Sequence, residues 1–86
     1  MNTFELEIIT PEQKVFQGTT HSLIVPAKKG YLGVMAEHAP FICLLDEGEI
    51  TVRKDKGELS FQISKGFMET TPKKTIILAD NIKPLP

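Results

Sequence analysis

The side chains best suited to chemistry in this sequence are those of His38 and the single cysteine, Cys43. They have the residue types of a base and its nucleophile, with Asp46 or Glu37 as the orienting acid. Cys43, however, lies in the apolar run Phe41–Leu45, where a free cysteine behaves as a small buried hydrophobic residue. Because a reactive thiol needs partial exposure and a positive neighbourhood, we interpret Cys43 as structural. A small hydrolase remains a weaker hypothesis.

No other combination of residues predicts a reaction or a bound group. Two histidines and one cysteine, scattered along the chain, do not have the spacing of zinc ligands. The segment 30–33 lacks the third glycine of a dinucleotide loop, and no Gly-Lys-Ser/Thr phosphate loop is present. Glu5 and Glu7 are expected on the outer face of one strand, where they would keep that sheet edge soluble. The sequence therefore predicts no catalysis by this chain alone, no cofactor, no metal and no small-molecule ligand.

Length and charge restrict the class of protein further. The 86 residues have room for a single domain, residues 1–86. The net charge is −1 and the basic residues are scattered, so the sequence predicts no nucleic-acid partner. One cysteine allows no internal disulfide and suits a reducing compartment. Without a signal-peptide pattern or an apolar run of roughly 20 residues, we expect a soluble protein that does not insert into the bilayer.

Alternation of apolar and polar residues predicts an all-β fold. Residues 3–9 put Phe4, Leu6 and Ile8 on one face of a strand. Thr10 caps a predicted turn over residues 10–13, and the next strand is expected to close at Gly18. Further strands are predicted at residues 21–26, 41–45, 50–53, 59–63, 67–71 and 75–79. Short strands separated by turns every eight to twelve residues or so indicate a sandwich or barrel.

Two features point to contact with another protein. The run Phe41–Leu45 lacks polar alternation, so it is either a strand buried on both faces or one with a face that meets a partner. Tyr31, between two glycines, is either an exposed contact residue or a ring packed over the edge of the sandwich. The residues alone leave both pairs of alternatives open.

Six segments, in a fixed order along nearly the whole chain, resemble the N-terminal domain of the epsilon subunit of bacterial and chloroplast F-type ATP synthases. The longest is Leu-Glu-Ile-Ile-Thr-Pro-Glu-Gln-Lys-Val-Phe-Gln-Gly at residues 6–18. It is followed by Gly-Tyr-Leu-Gly-Val at 30–34, His-Ala-Pro at 38–40 and Gly-Glu-Ile-Thr-Val at 48–52. The last two are Gly-Phe at 66–67 and Thr-Ile-Ile-Leu-Ala-Asp at 75–80. The ordered set is specific, whereas any one segment would be weak.

The resemblance implies a flattened β-sandwich of about ten strands and a non-catalytic role in the central rotor stalk. Such a domain binds the gamma subunit and rests on the loops of the membrane ring of c subunits, so that it couples proton or sodium flow to ATP synthesis. By position, the residues facing gamma would be Thr10, His38, Ala39, Pro40, Phe41, Ile42 and Cys43. Those approaching the c-ring would be Lys28, Lys29, Gly30 and Tyr31. The implied location is peripheral, at the cytoplasmic face of the bacterial inner membrane or the stromal face of the thylakoid membrane.

The sequence departs from the family pattern at two places. Family members often have Pro-Gly or Pro-Asn before the histidine, where this chain has Ala36 and Glu37, so we expect a less tight turn. Members also usually continue into a pair of C-terminal helices that restrain ATP hydrolysis and, in some, bind ATP. The sequence to Pro86 predicts no such helical hairpin, and residues 80–86 are expected to be a tail or a linker towards it. Inhibition and ATP sensing are therefore not assigned, and a β-sandwich adaptor of another assembly is the alternative function.

Overall fold

The computed structural model describes residues 2–86, and all ten regular elements in this range are β-strands. The prediction of an all-β fold with about ten strands is confirmed. The strands are β1 (Phe4–Ile9), β2 (Lys14–Thr20), β3 (Ser22–Ala27), β4 (Gly30–Met35), β5 (Phe41–Leu45), β6 (Gly48–Lys54), β7 (Gly57–Ile63), β8 (Gly66–Thr70), β9 (Lys74–Ala79) and β10 (Ile82–Leu85).

The strands form two sheets joined at one point. Hydrogen bonding connects them in the order β10-β7-β6-β3-β5-β8-β9-β1-β2, and β4 pairs with β3. The link between β3 and β5 is a single residue pair, Ala27 with Leu45. The first sheet therefore contains β4, β3, β6, β7 and β10, and the second contains β5, β8, β9, β1 and β2. Every pairing is antiparallel except that of β1 with β9.

Alternating side chains from both sheets fill the space between them. In β1 the buried Phe4, Leu6 and Ile8 alternate with outward residues, as predicted. The first sheet contributes Leu23 and Ile50 to the same core, which also contains Met68 and Ile77 of the second. Each fully buried side chain of this kind stabilises the fold by roughly 1.5–3 kcal/mol. One shared core thus holds the two sheets together.

Turn residues determine how the strands connect. Lys54 pairs with Gly57 in the β6–β7 hairpin, and Gly57 has a positive φ of 108°, which glycine adopts without strain. Gly30 has a φ of 126° at the end of the β3–β4 turn. The turn after β1 also forms as predicted, because the backbone N–H of Gln13 donates to Oγ1 of Thr10 at 3.1 Å.

Several local predictions were wrong. The strand after the first turn does not close at Gly18, since Gly18 pairs with Leu6 and β2 continues to Thr20. β1, with Glu5 and Glu7, lies between β9 and β2 and is not a sheet edge. Residues 80–86 are not only a tail, because β10 pairs with β7 at the edge of the first sheet. Pro84 is tolerated there because an edge strand needs hydrogen bonds on one side only.

Glu7 takes part in ion pairs on the outer face of the second sheet, and these predict a pH dependence. Its carboxylate lies 3.0 Å from Nζ of Lys74 and 3.8 Å from Nζ of Lys14. The hydrogen bond from Lys74 lowers the pKa of Glu7, and the same bond raises the pKa of Lys74. The contribution of Glu7 to stability is therefore present above the ordinary carboxyl pKa and lost as the pH falls through the lowered value. The contribution of Lys74 to stability is present below the ordinary lysine pKa and is lost as the pH rises through the raised pKa.

We predict that Glu7→Gln loses less stability than the unchanged protein when the pH falls from about 5 to about 3, because the variant has no carboxylate to protonate. Urea unfolding at a series of pH values measures this difference. Glu12→Gln is the control, since Glu12 is exposed and takes part in no ion pair within residues 2–86. Parallel stability curves for Glu7→Gln and the unchanged protein would contradict the prediction.

Candidate protein-binding surface

The β5 strand is buried on one face only. Phe41, Cys43 and Leu45 face the core, whereas the side chains of Ile42 and Leu44 are 66% and 58% exposed. The alternative of a strand buried on both faces is therefore wrong. The run lacks polar alternation because its outward positions carry apolar residues that no part of residues 2–86 covers.

These outward residues belong to a larger apolar surface on the second sheet. Leu44 lies opposite Phe67, Phe67 opposite Leu78, and Leu78 opposite Ile9. A parallel row contains Ile42 and Ile76. We call this surface the apolar face; its residues are Ile9, Ile42, Leu44, Phe67, Ile76 and Leu78. It crosses four strands, or about 14 Å at the usual strand spacing. Ile42, Leu44 and Phe67 are exposed and the other three residues are half-buried. Contiguous exposed apolar patches mark protein interfaces.

His38 precedes β5, and its ring packs on the core side of the second sheet, at the end of the sandwich. Its Nε2 lies 2.8 Å from Oγ1 of Thr70, and that hydroxyl lies 2.6 Å from Oγ1 of the buried Thr75. The imidazole also meets the ring of Phe4 edge-on, with 5.4 Å between centroids, and the ring of Phe41 at 6.4 Å. The half-buried His38 therefore packs against β1, β5 and β8 and is held in place by them.

Glu37, before the histidine, has an unusual backbone conformation. Its φ is 64°, the left-handed region that glycine and asparagine adopt most easily. Its backbone N–H donates to the carbonyl oxygen of Pro72 at 3.2 Å, which ties this turn to the β8–β9 connection. The sequence predicted a less tight turn here, but the turn contains a residue in the left-handed conformation. That residue is a glutamate, where the family pattern has Gly or Asn.

We predict that Glu37→Asn raises the free energy of unfolding by about 0.5–1 kcal/mol, because asparagine tolerates the left-handed conformation better than glutamate. Chemical denaturation measures the change. Glu47→Asn, at an exposed position without a positive φ, should have little effect. A Glu37→Asn variant no more stable than the unchanged protein would contradict the proposed strain.

Cys43 does not form a nucleophile pair with His38. Its side chain packs against the core, and this burial raises the pKa of the thiol. The imidazole of His38 hydrogen-bonds to Thr70 instead. This arrangement agrees with the interpretation of Cys43 as a structural residue.

We predict that iodoacetamide alkylates Cys43 in the folded protein at least about tenfold more slowly than in denaturant, because little thiolate is present and the sulfur is half-buried. Mass spectrometry of timed samples measures the rate. A Cys43→Ser variant that also carries Lys29→Cys, at an exposed turn, supplies the fast control. Equal rates for Cys43 in the folded and denatured states would revive the hydrolase hypothesis.

Tyr31 is both exposed and packed at the edge of the sandwich, so each of the two alternatives predicted for it is partly correct. Its side chain is 63% exposed, yet its hydroxyl oxygen accepts a hydrogen bond of 3.2 Å from the backbone N–H of Glu49. The hydroxyl also closely approaches Gly48, where an added Cβ would lie 2.9 Å away. Tyr31 thus fixes the β3–β4 hairpin against β6, and beside it the turn exposes Lys28 and Lys29.

The structure keeps each predicted contact set together, except that Thr10 lies apart from the other residues expected to face gamma. These other residues run from one end of the second sheet to the middle of β5, namely His38, Ala39, Pro40, Phe41, Ile42 and Cys43. Lys28, Lys29, Gly30 and Tyr31 lie at the opposite end of the sandwich, about 20 Å away along the six residues of β4. Thr10 is also at that opposite end, where it lines a groove of about 420 Å³ with Gly66, Phe67 and Leu78. Thr10 therefore does not lie beside His38, although the apolar face extends between the two positions.

Sequence reasoning missed most of the apolar face, namely Ile9, Phe67, Ile76 and Leu78. The available signal was the strand Lys74–Ala79, in which the outward positions Ile76 and Leu78 are as apolar as the inward ones. Within residues 2–86, no group of three or more potential metal ligands is placed to hold an ion. The same residues contain no helix of the length and hydropathy that a membrane crossing requires.

Comparison with known proteins identifies similar chains. The family described as "ATP synthase, Delta/Epsilon chain, beta-sandwich domain" matches residues 3–84. An ATP synthase epsilon chain of Moorella thermoacetica is 47% identical over 93% of this chain, which covers 60% of that protein. The sodium ion specific ATP synthase epsilon chain of Propionigenium modestum is 42% identical over 93% of this chain and 58% of its own length. An epsilon chain of Chlorobium limicola is 38% identical, and the match covers 92% of this chain and 91% of that relative.

Solved structures share the fold at low sequence identity. A chain in the OSCP/F1/c-ring structure of the Euglena gracilis mitochondrial ATP synthase superposes with a TM-score of 0.89 and 19% identity, over 95% of this chain and 53% of that one. A chain in the central stalk/c-ring structure of the Tetrahymena thermophila mitochondrial ATP synthase superposes with a TM-score of 0.78 and 11% identity. The match covers 94% of this chain and 66% of that one. At these identities the likeness shows the fold alone.

Proposed function

We propose that this chain, which belongs to the family of ATP synthase delta/epsilon chain β-sandwich domains, is a non-catalytic rotor subunit of an F-type ATP synthase. It joins the gamma subunit to the ring of c subunits and so couples proton or sodium flow to ATP synthesis. The chain spans about 58–60% of the length of the first two relatives described above, so the role is proposed for this domain. Its site of action is peripheral to a membrane, at the cytoplasmic face in bacteria or the stromal face in chloroplasts.

The observation that carries this proposal is the apolar face of the second sheet. An exposed surface of Ile, Leu and Phe side chains is costly in water unless a partner covers it. Gamma is the partner that the family membership suggests. Ile42, Leu44 and Phe67 are the exposed residues of this face, and they would meet gamma directly. His38 precedes β5 at the Ile42 end of the sheet, and it would contact gamma only from the rim of the sandwich.

The ring contact is proposed for the β3–β4 turn. Lys28 and Lys29 are exposed there, and Tyr31 is held by its hydrogen bond to β6. A rigid turn suits a contact that must transmit torque, because a flexible turn would deform before the sandwich rotated. The His38 end of the gamma contact is about 20 Å from this turn along β4. Because the domain has a single core, rotation of the ring would be passed to gamma through the sandwich.

Site-specific photo-cross-linking tests both contacts at once. In a Cys43→Ser background, Ile42→Cys, Tyr31→Cys and Met35→Cys each carry a photoreactive maleimide within the assembled ATP synthase. We expect Ile42→Cys to cross-link to gamma and Tyr31→Cys to a c subunit. Met35, which is 66% exposed on the first sheet, is the control and should give neither product.

Cross-links from Ile42→Cys to c, or from Tyr31→Cys to gamma, would contradict the assignment of the two surfaces. Failure of the chain to assemble with gamma, together with capture of an unrelated complex, would favour the adaptor hypothesis.

A further inference from the structure

Glu69 is a carboxylate set within the apolar face. It is exposed on β8, and its register partners across the neighbouring strands are Ile42 and Ile76. Phe67 precedes it on the same outward side of the strand. Within residues 2–86 Glu69 forms no ion pair, whereas Glu7 in the same row is neutralised by Lys74 and Lys14. The charge of Glu69 is therefore balanced by solvent alone.

A partner that covers the apolar face must remove this solvent. Desolvating an unpaired carboxylate is strongly unfavourable, and the cost is recovered only when a cation or several hydrogen-bond donors replace the water. A purely apolar partner surface would therefore bind poorly to a face that contains Glu69. The partner must therefore supply a positive group or several hydrogen-bond donors opposite Glu69, and a positive group balances the charge as well.

The surface next to Glu69 has room for such a group. A shallow groove of about 390 Å³ is lined by Pro40, Phe41, Ile42, Glu69, Thr70 and Thr71. A lysine or arginine can lay its apolar stem over Ile42 and Pro40 and bring its charged end to the carboxylate. An arginine can in addition form two parallel hydrogen bonds with a carboxylate.

We infer that Glu69 receives a lysine or arginine side chain of the gamma subunit in this groove and thereby fixes how gamma sits on the apolar face. The inference rests on the proposed function. Apolar contact is non-directional, so the apolar residues alone would allow gamma to slide or rotate on the sheet. One charge pair inside the apolar surface removes this freedom, because any other alignment leaves both charges desolvated and unpaired.

The test measures the affinity of gamma for the full chain and for Glu69→Gln at about 50 and about 300 mM NaCl, since screening weakens charge pairs at the higher salt. We expect Glu69→Gln to bind about tenfold or more weakly at the lower salt and to respond less to added salt. Glu69→Lys should bind more weakly still, because it opposes a like charge. Glu49→Gln, an exposed carboxylate on β6 of the first sheet, is the matched control and should behave as the unchanged chain.

The outcomes separate this inference from the proposed function. If Glu69→Gln binds gamma with unchanged affinity and unchanged salt response while Leu44→Glu does not bind, the charge pair is refuted and the apolar interface stands. If Leu44→Glu also binds normally, or if the unchanged chain does not bind gamma, both are overturned. Because Glu69 is exposed, we expect its variants to be as stable as the unchanged chain. A matching free energy of unfolding then excludes misfolding as the cause of weaker binding.

Discussion

Replacement of Leu44 by glutamate is expected to weaken binding of gamma by about a hundredfold or more, which corresponds to about 2.7 kcal/mol. Two effects add. The interface loses the contact of an apolar side chain, and it acquires a carboxylate that must be desolvated without a partner. Leu44 is preferable to Ile42 for this test, because Ile42 lies opposite Glu69. A lysine or arginine of gamma that pairs with Glu69 would also neutralise a glutamate introduced at position 42, and the expected loss of affinity would then be smaller. Isothermal titration calorimetry measures the affinity.

Met35→Glu is the matched control for Leu44→Glu. Met35 is 66% and Leu44 58% exposed, but Met35 lies on β4 of the first sheet. Both variants should unfold within about 0.5 kcal/mol of the unchanged protein, because exposed substitutions rarely affect stability by more. Equal losses of gamma affinity in the two variants would mean that binding does not depend on the apolar face.

Replacement of Gly66 by alanine is expected to destabilise the sandwich by about 3 kcal/mol, near the upper end of the usual cost of overpacking. An added Cβ would lie 2.1 Å from the carbonyl oxygen of Leu78 and 3.0 Å from Cα and Cβ of Ala79. These are mainly backbone atoms of the neighbouring strand, so no side-chain rotation relieves the clash. Gly66 also pairs with Leu45 on its other side, which limits any shift of β8. Urea denaturation measures the loss.

Gly33→Ala provides the comparison for Gly66→Ala. An added Cβ at Gly33 meets nothing within 4 Å, and this glycine has no positive φ. We expect a change of at most about 1 kcal/mol, in the stabilising direction, because alanine restricts the unfolded chain. A Gly66→Ala variant as stable as Gly33→Ala would show that β8 and β9 do not pack as closely as described.

The predictable part of the fold was the part with clear alternation. β1 and the strands of the β6–β7 hairpin follow directly from residues whose inward positions are apolar and whose outward positions are mostly polar, Ile9 being the exception in β1. β4 was not predicted as a strand, because two of its residues are glycines and its exposed positions include Tyr31 and Met35. β10 was predicted as a tail, since prolines exclude a strand from the interior of a sheet and the pattern cannot show that an edge is available.

The candidate surface was predictable only in part, for a related reason. The run Phe41–Leu45 attracted attention because it is apolar on both sides, but its sequence does not show which side faces solvent. Phe67, Ile76 and Leu78 join Leu44 only through strand pairings that are distant in sequence. Thr10 was grouped with His38 by the resemblance, whereas the strand directions put the two at opposite ends of the second sheet. His38 and its hydroxyl partners Thr70 and Thr75 likewise meet only in the folded chain.

The central claim, that gamma covers the outer face of the second sheet, is tested most directly by carbene footprinting of the chain alone and in complex with gamma. The method labels side chains according to their exposure to solvent. We predict that labelling of Ile42, Leu44 and Phe67 falls in the complex while that of Met35 stays unchanged. Protection of Met35 together with undiminished labelling of Ile42 and Leu44 would contradict the account.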